Sequence, residues 1–98
     1  MFLAKVIGNV VATQKNPGFS GMKLLLIQPC VTRDEALVVS GSSIVAVDSV
    51  GAGAGELVMF TQGSSARLTE QTREAPVDAV IIGIVDTVEV GGRQLERP

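Results

Sequence analysis

The 98-residue chain has no histidine, no tryptophan and no tyrosine, and only one cysteine, Cys30. Without histidine it lacks the usual general base near neutral pH. It also lacks the imidazole that a nucleophilic serine or cysteine relies on. Ser64-Ser65 follows a strand-like run, but no Gly-x-Ser-x-Gly pattern surrounds it. The carboxylates are sparse: Asp34-Glu35 sits in a polar loop tip, and Asp48 and Glu56 flank a glycine-rich stretch. Carboxylates beside loops serve as turn and cap residues, so no catalytic residue is assigned and the chain is not read as an enzyme. Cys30 has no cysteine to pair with and no histidine to complete a common zinc site. It reads as a small buried apolar side chain, and neither a metal nor a cofactor is expected.

Charge is scarce as well, at 18% of residues with a net of −2 and no basic block. Nucleic-acid binding draws on Lys and Arg against phosphates and on aromatic platforms for bases. Here the only rings are Phe2, Phe19 and Phe60, which argues against a nucleic-acid partner. No apolar run reaches the length of a membrane helix; the richest, residues 77–85, is interrupted by Asp78. No basic stretch followed by an apolar leader opens the chain. The expectation is a cytoplasmic protein with no membrane partner.

What the chain does have is apolar residues, at 46%. A single domain over residues 1–98 has a modest core of its own, so the surplus points to subunit interfaces. The alternative is a tightly packed monomer with a few exposed aliphatics. Residues 2–13 alternate like a strand, with Gly8 inside it where a bulge or sharp bend fits. Asn16-Pro17-Gly18 marks a turn. Residues 23–30 form a leucine-rich second strand interrupted at Pro29, and residues 32–35 and 41–43 read as loops. Residues 44–48 make a third strand and residues 56–61 a fourth. A serine before Ala66 suits a helix N-cap, so one or two helical turns are expected to about Gln71, with a further turn at Pro76. The fifth strand, residues 79–90, is apolar on both faces, and its outer face calls for another subunit. Gly91-Gly92 is a hairpin turn before a short last strand at residues 93–96. Five to six strands with one short helical insert and no crossover helix predict an all-β, OB-like barrel.

The stretch from Asp48 through Gly51, Gly53 and Gly55 to Glu56 looks at first like a phosphate loop. Such a loop must follow a strand and open a helix, and a Walker-type loop ends in Gly-Lys-Ser/Thr. Here the glycines lead into a strand run and no lysine follows them. Two readings stay open: a nest of N–H groups for an anion, or glycines supplying positive φ and close backbone approach. Arg67 is equally open, between a hydrogen-bonding role across a subunit boundary and a solvated charge.

These blocks together resemble the EutN/CcmL family of bacterial microcompartment vertex proteins, nearly end to end. The resemblance runs through residues 4–15 with Pro17, then Lys23-Leu24-Leu25-Leu26. It continues through Ala46-Val47-Asp48-Ser49-Val50-Gly51-Ala52-Gly53 with Gly55-Glu56, and Gly63-Ser64-Ser65-Ala66-Arg67. It ends in Pro76-Val77-Asp78-Ala79 with Ile82-Gly83-Ile84-Val85-Asp86. Residues 32–43 match no pattern. Gly83 to Asp86 and Gly91-Gly92 resemble versions from catabolic compartments more than carboxysomal ones. The resemblance implies a cyclic homopentamer at the corners of a polyhedral shell, with hexameric shell proteins as neighbours. It implies that Asp48, Gly51, Gly53, Gly55, Glu56, Gly63, Ser64, Ser65, Ala66 and Arg67 lie at subunit contacts or shape the ring around its axis. The rival functions are an OB-fold nucleic-acid module and a small nucleotide-binding domain using the loop 51–55.

If Arg67 bridges subunits, Arg67→Ala weakens assembly more than it weakens the subunit fold. Loss of a buried charge-assisted contact at an interface costs about 2–5 kcal/mol, whereas loss of a solvated charge costs almost nothing. Dissociation on dilution, followed by native mass spectrometry, separates the two: an unchanged midpoint identifies Arg67 as solvated.

Overall fold

Alternation along the first strand sets the inside and outside of the molecule. In β1 (Phe2–Val10) Ala4 and Val6 are buried while Leu3 and Lys5 are only partly covered. The computed structural model describes residues 1–14, 17–19, 21–63 and 78–98. Among these, a 3₁₀ turn at Pro17–Phe19 is followed by β2 (Lys23–Arg33), β3 (Ala36–Val39) and β4 (Ile44–Asp48). Then come β5 (Leu57–Gln62), β6 (Ala79–Val85), β7 (Glu89–Val90) and β8 (Arg93–Gln94). The expected helical turns at residues 66–71 and at Pro76 lie outside the described residues.

The large sheet runs β1-β5-β6-β4-β2-β3, and β1 also pairs with β2. That last pairing closes a five-stranded barrel with β3 as an extra strand. β4 and β6 pair in parallel, through Val47↔Val80 and Asp48↔Ile81, while the other barrel pairings are antiparallel. This is the OB-type arrangement expected from the sequence. The register of β1 against β2 shifts between Val6 and Gly8, the bulge anticipated at Gly8, and it lets β1 bend across the barrel.

The inward face of every barrel strand contributes to one core: Ala4, Val6, Leu25, Ile27, Ala46, Val58, Phe60, Ala79 and Ile81, with Ala52 from the bend. Phe2 lies over Phe60 at the barrel end, ring centroids 5.5 Å apart.

Several boundaries differ from the sequence reading. The first strand stops at Val10, not residue 13. β2 runs straight through Pro29 to Arg33. Pro29 marks the point where one edge of β2 changes partner, from β4 at residues 23–27 to β3 at residues 30–33. A residue without an N–H is tolerated where no ladder bond is demanded of it. The Gln28 amide donates to the carbonyls of Ser40 and Gly41 across that gap, at 3.4 and 3.0 Å. β3 itself was not anticipated; the polar loop tip shrinks to Asp34-Glu35, with Asp34 at φ 56°. The long fifth strand breaks after Val85, and residues 89–94 turn back as a hairpin. Gly91 and Gly92, at φ 60° and 80°, supply the two positive φ values that a two-residue hairpin needs.

That break corrects one expectation. The outer face of the sheet does not wait wholly for another subunit. Leu3 and Leu57 neighbour the core residues Ala4 and Val58 in sequence, so they point outward. They pack with Leu37, Val85, Val88 and Leu95, the last two from the chain's own C-terminal segment. A smaller outer cluster joins Val47 and Val80 to Met22, Leu24 and Ile82.

Phe60 is the bulkiest fully buried side chain of the core, at 1% exposure, whereas Val39 on β3 is 59% exposed. Phe60→Ala is expected to destabilise the fold by about 3–5 kcal/mol and Val39→Ala by within about 0.5 kcal/mol. Urea denaturation at fixed protein concentration checks both.

Candidate functional site

The glycine-rich bend links the end of β4 to the start of β5, the strand-to-strand setting read from the sequence. Asp48, the last residue of β4, has a side chain only 1% exposed. Its Oδ1 accepts hydrogen bonds from the backbone N–H groups of Val50 and Gly51, both at 3.1 Å. This is the turn in which an aspartate folds the following backbone around its own carboxylate. The other oxygen faces Lys23 Nζ at 3.7 Å, and the same ammonium donates to the Ala52 carbonyl at 2.8 Å. Lys23 is the register partner of Asp48 across β2 and β4, so the pairing of two strands delivers the cation to the bend. Ser49 Oγ donates to the Ile81 carbonyl at 2.6 Å and ties the bend to β6.

The second half is held from the other side. Gly53 N–H donates to Glu56 Oε1 at 2.7 Å, and Glu56 N–H donates back to the Gly53 carbonyl at 3.1 Å. A Cβ on residue 53 would lie 3.4 Å from that carboxylate oxygen. Gly55 N–H donates to the Val6 carbonyl at 2.8 Å, and Val6 N–H donates to the Glu56 carbonyl at 2.9 Å. Between these anchors Ala52 drops its methyl into the core, fully buried. Gly51 and Gly55 sit at φ 80° and 84°, a region other residues reach only at a steric cost.

This geometry decides between the two readings of the bend. The N–H groups of Val50, Gly51, Gly53 and Gly55 are all engaged by the protein's own acceptors, so they form no nest aimed at an anion. The two carboxylates cap separate halves of the loop. Burial pushes the Cys30 thiol up from its ordinary value, with the main-chain N–H and charge of Lys5 acting in the opposite direction. Such a thiol is a poor nucleophile.

The motif residues do not form one cluster. Asp48, Gly51, Gly53, Gly55 and Glu56 share the bend. Gly63 follows the far end of β5, about 20 Å away at the rise of an extended strand. Its N–H donates to the carbonyl and the carboxylate of Asp78, at 2.9 and 3.3 Å. Ser64, Ser65, Ala66 and Arg67 lie outside the described residues. Sequence reasoning missed Lys23 and Ser49 as tethers of the bend. Their partners lie 25 or more positions away along the chain, and only strand register brings them together.

Among the described residues, the motif side chains Asp48 and Glu56 hold the backbone of their own bend. The sequence profile described as "Ethanolamine utilisation protein EutN/carboxysome" matches residues 1–86. The chain is 50% identical over 90 residues to the microcompartment shell vertex protein PduN of Salmonella typhimurium, covering 90% of this chain and 98% of that one. It is 49% identical over 89 residues to the shell vertex protein GrpN of Rhodospirillum rubrum, covering 91% and 97%. The solved structure of GrpN, described as a pentameric microcompartment shell protein, superposes with a TM-score of 0.77 over 92% of this chain and 98% of that chain. The carboxysome protein CcmL of Gloeobacter violaceus superposes with a TM-score of 0.86 at 46% identity, covering 96% and 94%. The chain belongs to the EutN/CcmL family of bacterial microcompartment shell vertex proteins. This is a family of structural shell components, not of enzymes.

Asp48→Ala removes the acceptor for two loop N–H groups and is expected to cost about 1–3 kcal/mol. Asp48→Asn, which retains an acceptor oxygen, should cost less. Gly51→Ala is expected to cost about 1–2 kcal/mol through its positive φ alone, since nothing lies within 4 Å of the added methyl. Shifts in the urea midpoint at constant slope measure all three.

Proposed function

We propose that this chain closes a bacterial microcompartment shell as a homopentamer seated at the polyhedral vertices, with its outer rim docked to six-fold shell proteins. The end-to-end likeness to a vertex protein described as pentameric, at 49% identity, carries this reading. The surface supports it. Phe2, Ile7, Val45 and Ile84 are exposed apolar residues, at 52%, 48%, 48% and 40%. Obligate interfaces between subunits are richer in such residues than transient ones. A cyclic pentamer joins two different patches of each subunit head to tail, and the ring closes when the rotation does.

The mechanism is geometric. Six-fold tiles alone form a flat sheet, and a closed polyhedron needs five-fold units at its corners. The work of the subunit is to hold a fixed angle to its neighbours, which favours a stiff barrel with its loops locked to the strands. In this reading the bend from Asp48 to Glu56 shapes one end of the barrel within the ring. Gly63 to Arg67, like the bend, are expected at subunit contacts or shaping the ring around its axis.

Native mass spectrometry is expected to give five times the 10.2 kDa chain mass; a monomer persisting at high concentration would overturn the ring. In cells, deletion of this subunit is expected to leave six-fold sheets intact but unclosed, giving elongated or leaky compartments with cargo still associated. Charge-reversing substitutions on the rim should reproduce that phenotype with an intact pentamer. Electron microscopy distinguishes these outcomes from regular closed polyhedra, which, with no second vertex protein present, would exclude the corner role.

A further inference from the structure

The family profile ends at residue 86, yet the chain beyond it is tied into the fold at many points. Leu95 is buried, at 5% exposure, against Leu37 and Leu57, with Leu3, Val85 and Val88 around them. Leu95 N–H donates to the Val88 carbonyl at 2.8 Å, and Leu37 N–H donates to the Glu96 carbonyl at 3.0 Å. Ala36 and Glu96 form a parallel bridge, so the segment pairs with the free edge of β3. Polar tethers surround this apolar anchor. The Arg93 guanidinium lies 2.6 Å from Glu35, Arg97 donates to the carbonyls of Val85 and Asp86, and Lys5 Nζ donates to the Pro98 carbonyl at 3.1 Å.

Two features that soluble proteins normally protect are thus covered by one short segment. One is an apolar face on the outside of the sheet, made by Leu3, Leu57 and Val85. The other is the start of the open edge of β3, at Ala36 and Leu37, on the last strand of the large sheet. The polar tethers are exposed, with Arg93 and Glu35 side chains at 68% and 71%, and exposed pairs hold weakly. Leu95 is the principal anchor, since it is the one side chain of residues 86–98 that is buried.

We infer that residues 86–98 form a releasable strap that docks on its own subunit and guards this face and edge against a second copy of the chain. Undocked, the face made by Leu3, Leu57 and Val85 is open to a second copy, which carries the same face and the same strap. Docked, it leaves the contacts of any ring to other surfaces. The inference goes beyond the vertex reading and does not depend on it.

The test uses the full chain in a Cys30→Ser background, with Ala36→Cys and Glu96→Cys introduced together. Bridge partners on adjacent strands lie within disulfide reach. Oxidation of the native oligomer is expected to give a product of single-chain mobility under denaturing, non-reducing conditions. A ladder of covalent multimers would overturn docking in cis. In the otherwise unmodified chain, Leu95→Asp is expected to raise the rate at which trypsin releases residues 94–98 at least tenfold. It should also increase apolar-dye binding severalfold and yield multiples of the parent oligomer. Should Leu95→Asp lose its far-ultraviolet dichroism, the surface pair Glu35→Ala with Lys5→Ala, which breaks the same tethers and keeps the cleavage site at Arg93, replaces it, with an expected threefold faster release and the same growth in size. Unchanged release and unchanged size in the folded variant would overturn the guard. The parent mass, read in the same samples, reports on the pentamer separately: a failed ring changes that mass, whereas a failed strap leaves it unaltered and abolishes the difference between variants.

Discussion

The structure depends on closure of the barrel, which β1 completes by pairing along both its edges. Leu3, Ala4 and Lys5 pair with β2 on one side and with β5 on the other. Without that double pairing the sheet would be an open ribbon with two exposed edges, and the residues now enclosed, from Leu25 to Ile81, would face water. Closure requires β1 to bend, and the register shift beside Gly8 is where it does so. The same strand reaches the bend. Val6 exchanges hydrogen bonds with Gly55 and Glu56, so the loop that carries the most conspicuous motif in the chain is anchored to the strand that closes the barrel.

Around the core lies a second apolar layer, which explains a composition too rich in aliphatics for so small a domain. Part of it, on β1 and β5, is covered from outside by the chain's own C-terminal segment. Another part joins Val47 and Val80 with residues of β2 and β6. What is left on the surface, Phe2, Val39, Val45 and Ile84 among others, is dispersed over several strands. A subunit that meets different neighbours through different patches has this pattern, and head-to-tail rings are built that way.

A shell corner needs rigidity more than chemistry. The bend shows how the family motif supplies it: two carboxylates, a serine and a lysine are all engaged with main-chain groups. Glycine at the two positive-φ positions permits the path, and the alanine between them plugs the core. The residues that looked most like a ligand loop are therefore the ones most fully occupied with their own backbone.

Much of this was legible in the sequence. Alternation exposed the strands, Gly8 announced the bulge, Gly91-Gly92 the hairpin, and the ordered motif blocks the family. Asp48 and Glu56 could be read as caps because the side-chain acceptors they offer act within three residues, a range that sequence spacing reports. The rest was not legible for the opposite reason. That Pro29 marks a change of partner, that β3 exists, and that Lys23 and Ser49 hold the bend all follow from which strands lie side by side. So does the cover that Leu95 gives to Leu57. Local sequence determined which residues form strands and turns, because the side-chain period and the φ preference of glycine are local properties. Only the tertiary structure decided which edges pair and which apolar face the chain keeps for itself, because barrel closure sets those contacts between residues far apart along the chain.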